Sequence, residues 1–370
     1  MDKVRFVKQK PQIRSRPAAR IWRAIALLLA LGLPLRLFAG QDQSGAAPAP
    51  PDIGALMARG DYDALDKVYA DALLQHPQDY RLTYNRALAN YFGGHLEKAR
   101  DILLTVAPSD RGANEYQSLL ATVQIQLGDF KAALEPAQEA VRLDSSNAEN
   151  WLRLGALYLR LKRGQHALDT YQTAREKFPN RPEFLIGKGV VEEMLARLPE
   201  AIAVYREVTT RFPLNEPGYC FLGQIQVKSV LPDEVRTTAR ALLRVNSQSA
   251  YGEYLLAQAD WITPGKGQQS RPHVVRALEL NPRLAEAALL AGKVELQAGE
   301  PTKAIEYLKQ AVQVEPQLED GYFLLAKAYR QSGDKKHAEI ELATFRNLRE
   351  AEDKENHLLS NFLASGGPRP

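Results

Sequence analysis

The sequence predicts an all-α solenoid, and three observations predict it. First, a 34-residue period runs through the chain: Ala99, Ala133, Ala167 and Ala201 follow at steps of 34, as do Ala304 and Ala338. Gly155, Gly189 and Gly223 keep the same phase, and the prolines agree, with Pro77 to Pro179 three periods and Pro179 to Pro213 one. Self-similarity at this spacing marks units that bury their apolar faces only against their neighbours. Second, two apolar stripes recur at helical spacing within each unit, separated by a short polar turn. Third, the proline follows the second stripe, where it ends a helix without removing an internal hydrogen bond.

The elements follow in order from the N-terminus. Residues 1–40 carry nine Lys/Arg and one Asp, a net +8. Within them, Ala24–Leu35 is an apolar run of twelve. As a helix that run spans about 18 Å, against a hydrocarbon core of about 30 Å. It has the length of a signal-peptide core. Cleavage after Ala39 leaves Leu37 at a place that favours a small residue, and Ser44-Gly45-Ala46 offers a second site. An uncleaved anchor over Ile21–Phe38, with Arg23 and Arg36 snorkelling, is the other reading. Either way the positive flank stays inside and the remainder is exported, to the periplasm or facing it from the inner membrane. Residues 41–51, rich in Pro, Ala and Gln, read as a flexible linker.

The repeat region is expected over residues 52–349. A truncated unit comes first, with Leu65, Tyr69, Ala72 and Pro77 in phase. Full units then begin near Tyr80, Asn114, Ala148, Pro182, Glu216, Ala250, Ala285 and Glu319. The middle departs from the pattern: Val235 and Ser247 replace the small alanine and the proline, and Ser270 stands near the next alanine place. Ala201 to Ala304 is 103 residues, three periods plus one, which puts an extra residue in or near Thr263–Arg271. That loop is either drift in a tolerant turn or a hinge or docking loop. Residues 350–363 form an amphipathic stretch suited to a solvating cap. The tail 364–370 is expected to be disordered.

One unit shows the pattern best. From Ala148 it places Trp151, Leu154, Gly155, Tyr158, Ala167, Tyr171, Ala174 and Pro179 at fixed offsets. This resembles the tetratricopeptide repeat signature at all eight of its places. Further units keep Gly189, Ala201, Tyr205 and Pro213, then Gly292, Ala304, Leu308 and Pro316, then Tyr322, Tyr329 and Ala338. The resemblance implies a right-handed superhelical solenoid of helix-turn-helix units, of the exported bacterial type, acting as a protein-binding scaffold.

Chemistry is hard to find in these residues. The whole chain is +4, so the part beyond residue 40 is about −4. A mildly acidic body argues against a nucleic-acid footprint. The single cysteine, Cys220, cannot form an internal disulfide. None of the six histidines has a His or Cys partner at metal-ligand spacing. Pro264-Gly265-Lys266-Gly267 lacks the first glycine of a phosphate loop, and Ser332–Lys335 lies in an inter-helix turn. No catalytic residue, cofactor or metal is expected.

In the family, the first helix of each unit lines the concave groove through its second, fifth, sixth, ninth, twelfth and thirteenth places. Carried over here, the partner-binding groove comprises Tyr84, Asn85, Leu88, Tyr91 and Phe92, then Arg153, Arg160 and Phe221. Its far wall comprises Tyr254, Trp261, Lys293, Phe323, Lys327 and Arg330. Aromatics interspersed with Arg and Lys suit an extended or helical segment of a partner protein. For each aromatic, packing onto the adjacent helix is the alternative. Tyr91-Phe92 is expected to be exposed, because neighbouring bulky side chains on a helix cannot share one seam. The Lys/Asn clamp with which some family members hold a peptide C-terminus is absent, since Tyr84, Leu88, Tyr254 and Gln258 occupy its places. The function expected is a non-catalytic scaffold in the cell envelope, in polysaccharide export, pilus, secretion or outer-membrane assembly. A groove that binds a glycan chain through stacked aromatics is the alternative. Membrane contact is expected only through an uncleaved N-terminal segment, and the oligomeric state stays open.

Overall fold

The computed structural model describes residues 53–107 and 110–364. The expected export segment 1–40, the linker 41–51 and all of the tail but Ala364 lie outside the described residues. Among the described residues there are eighteen α-helices and one short 3-10 turn, with no strand. They divide into two compact units, 53–204 and 205–364, each taken by itself.

The first unit holds α1 (Ile53–Arg59), α2 (Tyr62–Gln75), α3 (Tyr80–Phe92), α4 (Leu96–Leu104) and α5 (Asn114–Gln126). α6 (Leu134–Leu143), α7 (Ala148–Arg160), α8 (Gly164–Lys177) and α9 (Pro182–Met194) follow. The division falls within α10 (Leu198–Arg211). The second unit continues with α11 (Glu216–Lys228), α12 (Pro232–Val245), α13 (Ala250–Ile262) and α14 (Ser270–Leu280). It ends with α15 (Ala285–Ala298), α16 (Pro301–Val314), α17 (Glu319–Ser332) and α18 (Lys335–Ala364). First helices therefore begin at the residues that the 34-residue register marks. α18 runs without a break through the stretch read as a separate cap.

Local chemistry sets these boundaries. Asp79 Oδ1 accepts from the Leu82 N–H at 3.1 Å and Asn215 Oδ1 from the Gly218 N–H at 2.8 Å, so side chains satisfy orphan donors of α3 and α11. Proline opens α9, α12 and α16, where a missing N–H costs nothing. Between the two helices of a repeat the chain passes through one left-handed residue. Those residues are Gly60, Gly94, Gly128, Lys162, Ala196, Val230, Gly265, Gly299 and Gly333. Every step is 34 except the one from Val230 to Gly265, which is 35. The extra residue therefore enters at Thr263–Pro264, between the end of α13 and its turn, and the 3-10 turn Gly267–Gln269 leads into α14.

Within each unit, a second helix packs on its own first helix and on the first helix of the next repeat. First helices also touch one another: α3 with α5 and α7 with α9, then α11 with α13 and α15 with α17. Close approach needs small residues. The fully buried Tyr171 ring on α8 lies between Gly155 of α7 and Gly187 of α9, where a Cβ would come within 2.5 Å and 2.6 Å of it. Leu255 fills the matching space beside Gly223, and Leu308 the one beside Gly292. The small-alanine place is buried throughout: Ala99, Ala133, Ala167, Ala304 and Ala338 occupy it, and so do Val235 and Ser270. Ser270 is tolerated there because its hydroxyl donates to the Gly267 carbonyl at 2.5 Å.

A polar column that the signature does not contain ties repeats together. At the eleventh place of the first helix, where Tyr158 and Tyr329 follow the family pattern, other repeats put a carboxylate or an amide. Asp260 and Glu295 pair with Arg236 and Arg271 on the preceding second helix, at 2.9 Å and 2.6 Å. Asn90 donates to Asp66 on α2 at 2.6 Å, and Arg86 and Lys98 hold the same carboxylate.

Candidate functional site

The first-helix layer of each unit is the candidate surface, and the structure redistributes the residues assigned to it. In the first unit Tyr84, Leu88 and Tyr91 belong to the core, packed with Leu103, Tyr116 and Leu119. Asn85 is 7% exposed. The expected exposed pair parts company. Tyr91 is 6% exposed, whereas Phe92, at 38%, stacks on Tyr62 at 5.7 Å and meets Tyr91 edge-on at 5.3 Å. Neighbouring rings cannot share one seam, so one enters the core and the other covers the start of α2. Arg153 and Arg160 stay half-buried on the face, Arg160 with its guanidinium 4.5 Å over the Phe130 ring.

In the second unit Tyr254 is core, edge-on to Tyr251 at 5.4 Å. Phe221 stacks on Tyr205 at 5.4 Å, and Phe323 leans on Phe345 at 5.5 Å. Trp261 and Lys293 are half-buried, while Lys327 and Arg330 are exposed. Most of the aromatics thus pack onto adjacent helices, because a solenoid offers each ring a neighbour on both sides. The platform that a glycan would need from Tyr84, Tyr91 and Tyr254 is buried.

The first unit brings together polar groups that the sequence reading passed over. Asn150, 1% exposed, receives hydrogen bonds at Oδ1 from the Ser118 hydroxyl at 2.9 Å and from Arg153 Nη1 at 3.1 Å. Its Nδ2 donates to Asn114 Oδ1 and to the Ala140 carbonyl, both at 3.0 Å. One amide therefore joins α5, α6 and α7 and holds the Arg153 guanidinium in place. Gln126 Nε2 donates to the Tyr91 hydroxyl at 2.8 Å. Burial raises the Tyr91 hydroxyl above its ordinary pKa, and Arg153 and the Gln126 hydrogen bond partly offset that. Burial lowers the Arg153 guanidinium, against the nearby Glu149 carboxylate and Tyr91. Glu149 is itself held by Arg181 at 2.8 Å.

In the second unit, polar groups of one cleft are paired with one another. A cleft of about 400 Å³ beside α11 and α12 is lined by Arg206, Gln226, Glu234 and Thr238. Glu234 takes Arg206 at 2.5 Å and Gln226 at 3.3 Å, and Gln226 accepts from Thr238 at 2.8 Å. Among the described residues no three His, Cys, Asp or Glu gather as a metal site would require. No described helix is long and apolar enough to cross a membrane.

Family models described as tetratricopeptide repeat match residues 118–182, 164–216 and 265–318, and a second such model matches 295–348. Over those residues the chain carries tetratricopeptide repeats. Its tetratricopeptide solenoid is similar to a tetratricopeptide repeat protein from Parabacteroides merdae ATCC 43184, at 15% identity over 74% of this chain and 94% of that one, with a TM-score of 0.52. It is also similar to yeast Tom70, at 13% identity over 85% of this chain and 70% of that one, with a TM-score of 0.58. These likenesses show the fold. Among curated proteins, the BBSome complex member BBS4 of Bos taurus is 22% identical over 289 residues, 77% of this chain and 48% of that protein. The chain spans about half the length of that relative. A tetratricopeptide scaffold fits protein–protein interaction in general.

Proposed function

We propose that the chain is a non-catalytic scaffold of the cell envelope that holds an extended or helical segment of a partner protein along its first-helix layers. One observation carries the reading: Arg153 in the first unit, and Trp261, Lys327 and Arg330 in the second, keep surface on the first-helix layers while Tyr84, Tyr91 and Tyr254 are taken into the core. A stiff layer of this kind has its ordering entropy settled before the partner arrives. Similarity to a member of a multiprotein complex supports it. The envelope location rests on the basic flank and the apolar run at 24–35.

The test is capture from a detergent extract of the source cell's envelope on the immobilised full chain, against a Lys327→Glu, Arg330→Glu control. Both residues are exposed, so the control keeps its fold. Aspartates at Tyr84 or Tyr91 would break the core instead. A protein retained by the first and lost from the second supports the reading. Retention indifferent to both changes refutes the groove, and recovery of the chain in the cytosolic fraction refutes the location.

A further inference from the structure

The second-helix layer of the second unit carries a groove and a ridge side by side. The cleft of about 400 Å³ lies between the end of α10 and α12, with Tyr219 and Leu222 of α11 on its floor. Its walls are small: Thr209 on one side, and Thr237, Thr238 and Ala241 on the other. One repeat later, Leu243 stands in the place of Thr209 and lies against Gly252. The shorter threonine leaves the groove open, and small walls leave room for the ridge of another helix.

The ridge is the outward stripe of α12. Asp233, Thr237, Arg240 and Arg244 follow at i, i+4, i+7 and i+11, which puts them on one face of the helix, and all four are exposed. Charge is ordered along that stripe. Asp233, with its side chain 95% exposed, stands in the first turn beside Glu234, and the two arginines lie toward the C-terminal end. Such an order suits the helix dipole. It also leaves charge unspent, since Arg240 and Arg244 make no ion pair among the described residues. A face with its acids at one end and its bases at the other is complementary to its own copy turned through 180°.

We propose that this face is the contact between two copies of the chain, with α12 of each copy lying antiparallel in the α10–α12 cleft of the other. Groove and ridge share one helix, so a single two-fold axis fills both clefts at once. Asp233 of each copy then meets the arginines of the other, and Thr237, between Asp233 and Arg240, sits near the axis, where a small side chain lets the helices approach. The inserted ridge covers the cleft above Tyr219 and Leu222. A contact of two helices a side belongs to the small class of interfaces, below about 1,200 Å² in total, and associates weakly, at roughly tens of micromolar. It leaves the first-helix layers uncovered, so it stands independently of the scaffold reading.

Sedimentation equilibrium of the full chain, in mild non-ionic detergent at low salt and up to about 200 μM, is expected to show a monomer–dimer equilibrium. Asp233→Arg sets like charges against one another at both ends of the contact and weakens association tenfold or more. The paired change Arg240→Glu, Arg244→Glu does the same. Mixing these two proteins restores association to within about threefold of wild type, because opposite charges meet again at both ends. Thr237→Arg crowds the centre and weakens the dimer whatever the charges do, and it replaces a charge variant that loses helicity by circular dichroism. A monomer at the highest concentration overturns the proposal. So does a dimer that none of these changes weakens, the pattern expected if the apolar run at 24–35 drives association instead. Folded charge variants that fail to recover on mixing overturn it as well.

Discussion

Gly155→Ala tests how closely the helices are interlocked. The added Cβ would stand 2.5 Å from Cε1 and Cζ of Tyr171, whose ring is closed on its other side by Gly187. Ordinary carbon contacts begin near 3.5 Å, so α7 and α8 must part by about 1 Å or the ring must leave its rotamer. Overpacking of this kind costs about 1–3 kcal/mol, and a contact this short belongs at the upper end. Alanine returns about 1 kcal/mol of helix propensity, so the net loss is about 1–2 kcal/mol. Tyr171→Leu alone costs a few kcal/mol through lost packing, but in the Gly155→Ala background it also removes the collision. A double-mutant cycle therefore yields a favourable coupling of at least about 1 kcal/mol. Urea unfolding gives the totals. Hydrogen exchange assigns them to α7–α9, since repeat arrays need not unfold as one unit. If Gly155→Ala matches or exceeds the wild-type stability, or the cycle shows no coupling, the wedge is wrong.

Val230 holds a left-handed turn at φ 56°, a conformation β-branched residues resist, so Val230→Gly raises stability by about 1 kcal/mol, read as an increase in the urea midpoint. Burial alone would raise the Asp66 carboxyl, but hydrogen bonds from Lys98, Asn90 and Arg86 outweigh it and hold the group below its ordinary value of 3.8. A depressed carboxyl contributes stability above that value and loses it as the pH falls through the folded one. Asp66→Asn therefore lowers stability at pH 7 by about 1–2 kcal/mol and makes the loss of stability less steep as the pH falls below 3.8, as thermal scans will show. Glu295 is 5% exposed and the side chain of its partner Arg271 is 41% exposed. Arg271→Ala strands the buried acid and costs about 1 kcal/mol or more beyond Glu295→Ala, as parallel denaturant titrations will show.

The register was legible because small residues and prolines are demanded wherever two helices approach or end, and those demands recur every repeat. Depth was not. Tyr84, Tyr91 and Tyr254 occupy places that face the groove in the family, yet here the neighbouring helices cover them. Periodicity fixes which side of a helix a residue is on, and neighbouring side chains decide how far it is covered. The polar network around Asn150 and Tyr91 escaped because its members were read singly. Ser118 meets Asn150 across 32 residues, Asn150 meets Asn114 across 36, and Gln126 meets Tyr91 across 35. Polar residues about one period apart are the signal that finds such a network. The eleventh-place acids were hidden for a different reason: the signature expects tyrosine there, and a carboxylate looks like drift until its arginine on the preceding helix is seen.

The ladder of left-handed turns gives the chain a modular grammar. Each marks a seam where one residue can be gained, as at Thr263–Pro264, without rotating the helices on either side out of phase. Two seams that lie 34 residues apart bound a cassette that begins and ends in the same backbone state. Excising residues 129–162 would join Gly128 to Arg163 with the turn geometry intact, leaving a shorter stack in register. Length is therefore something this architecture can change by whole cassettes.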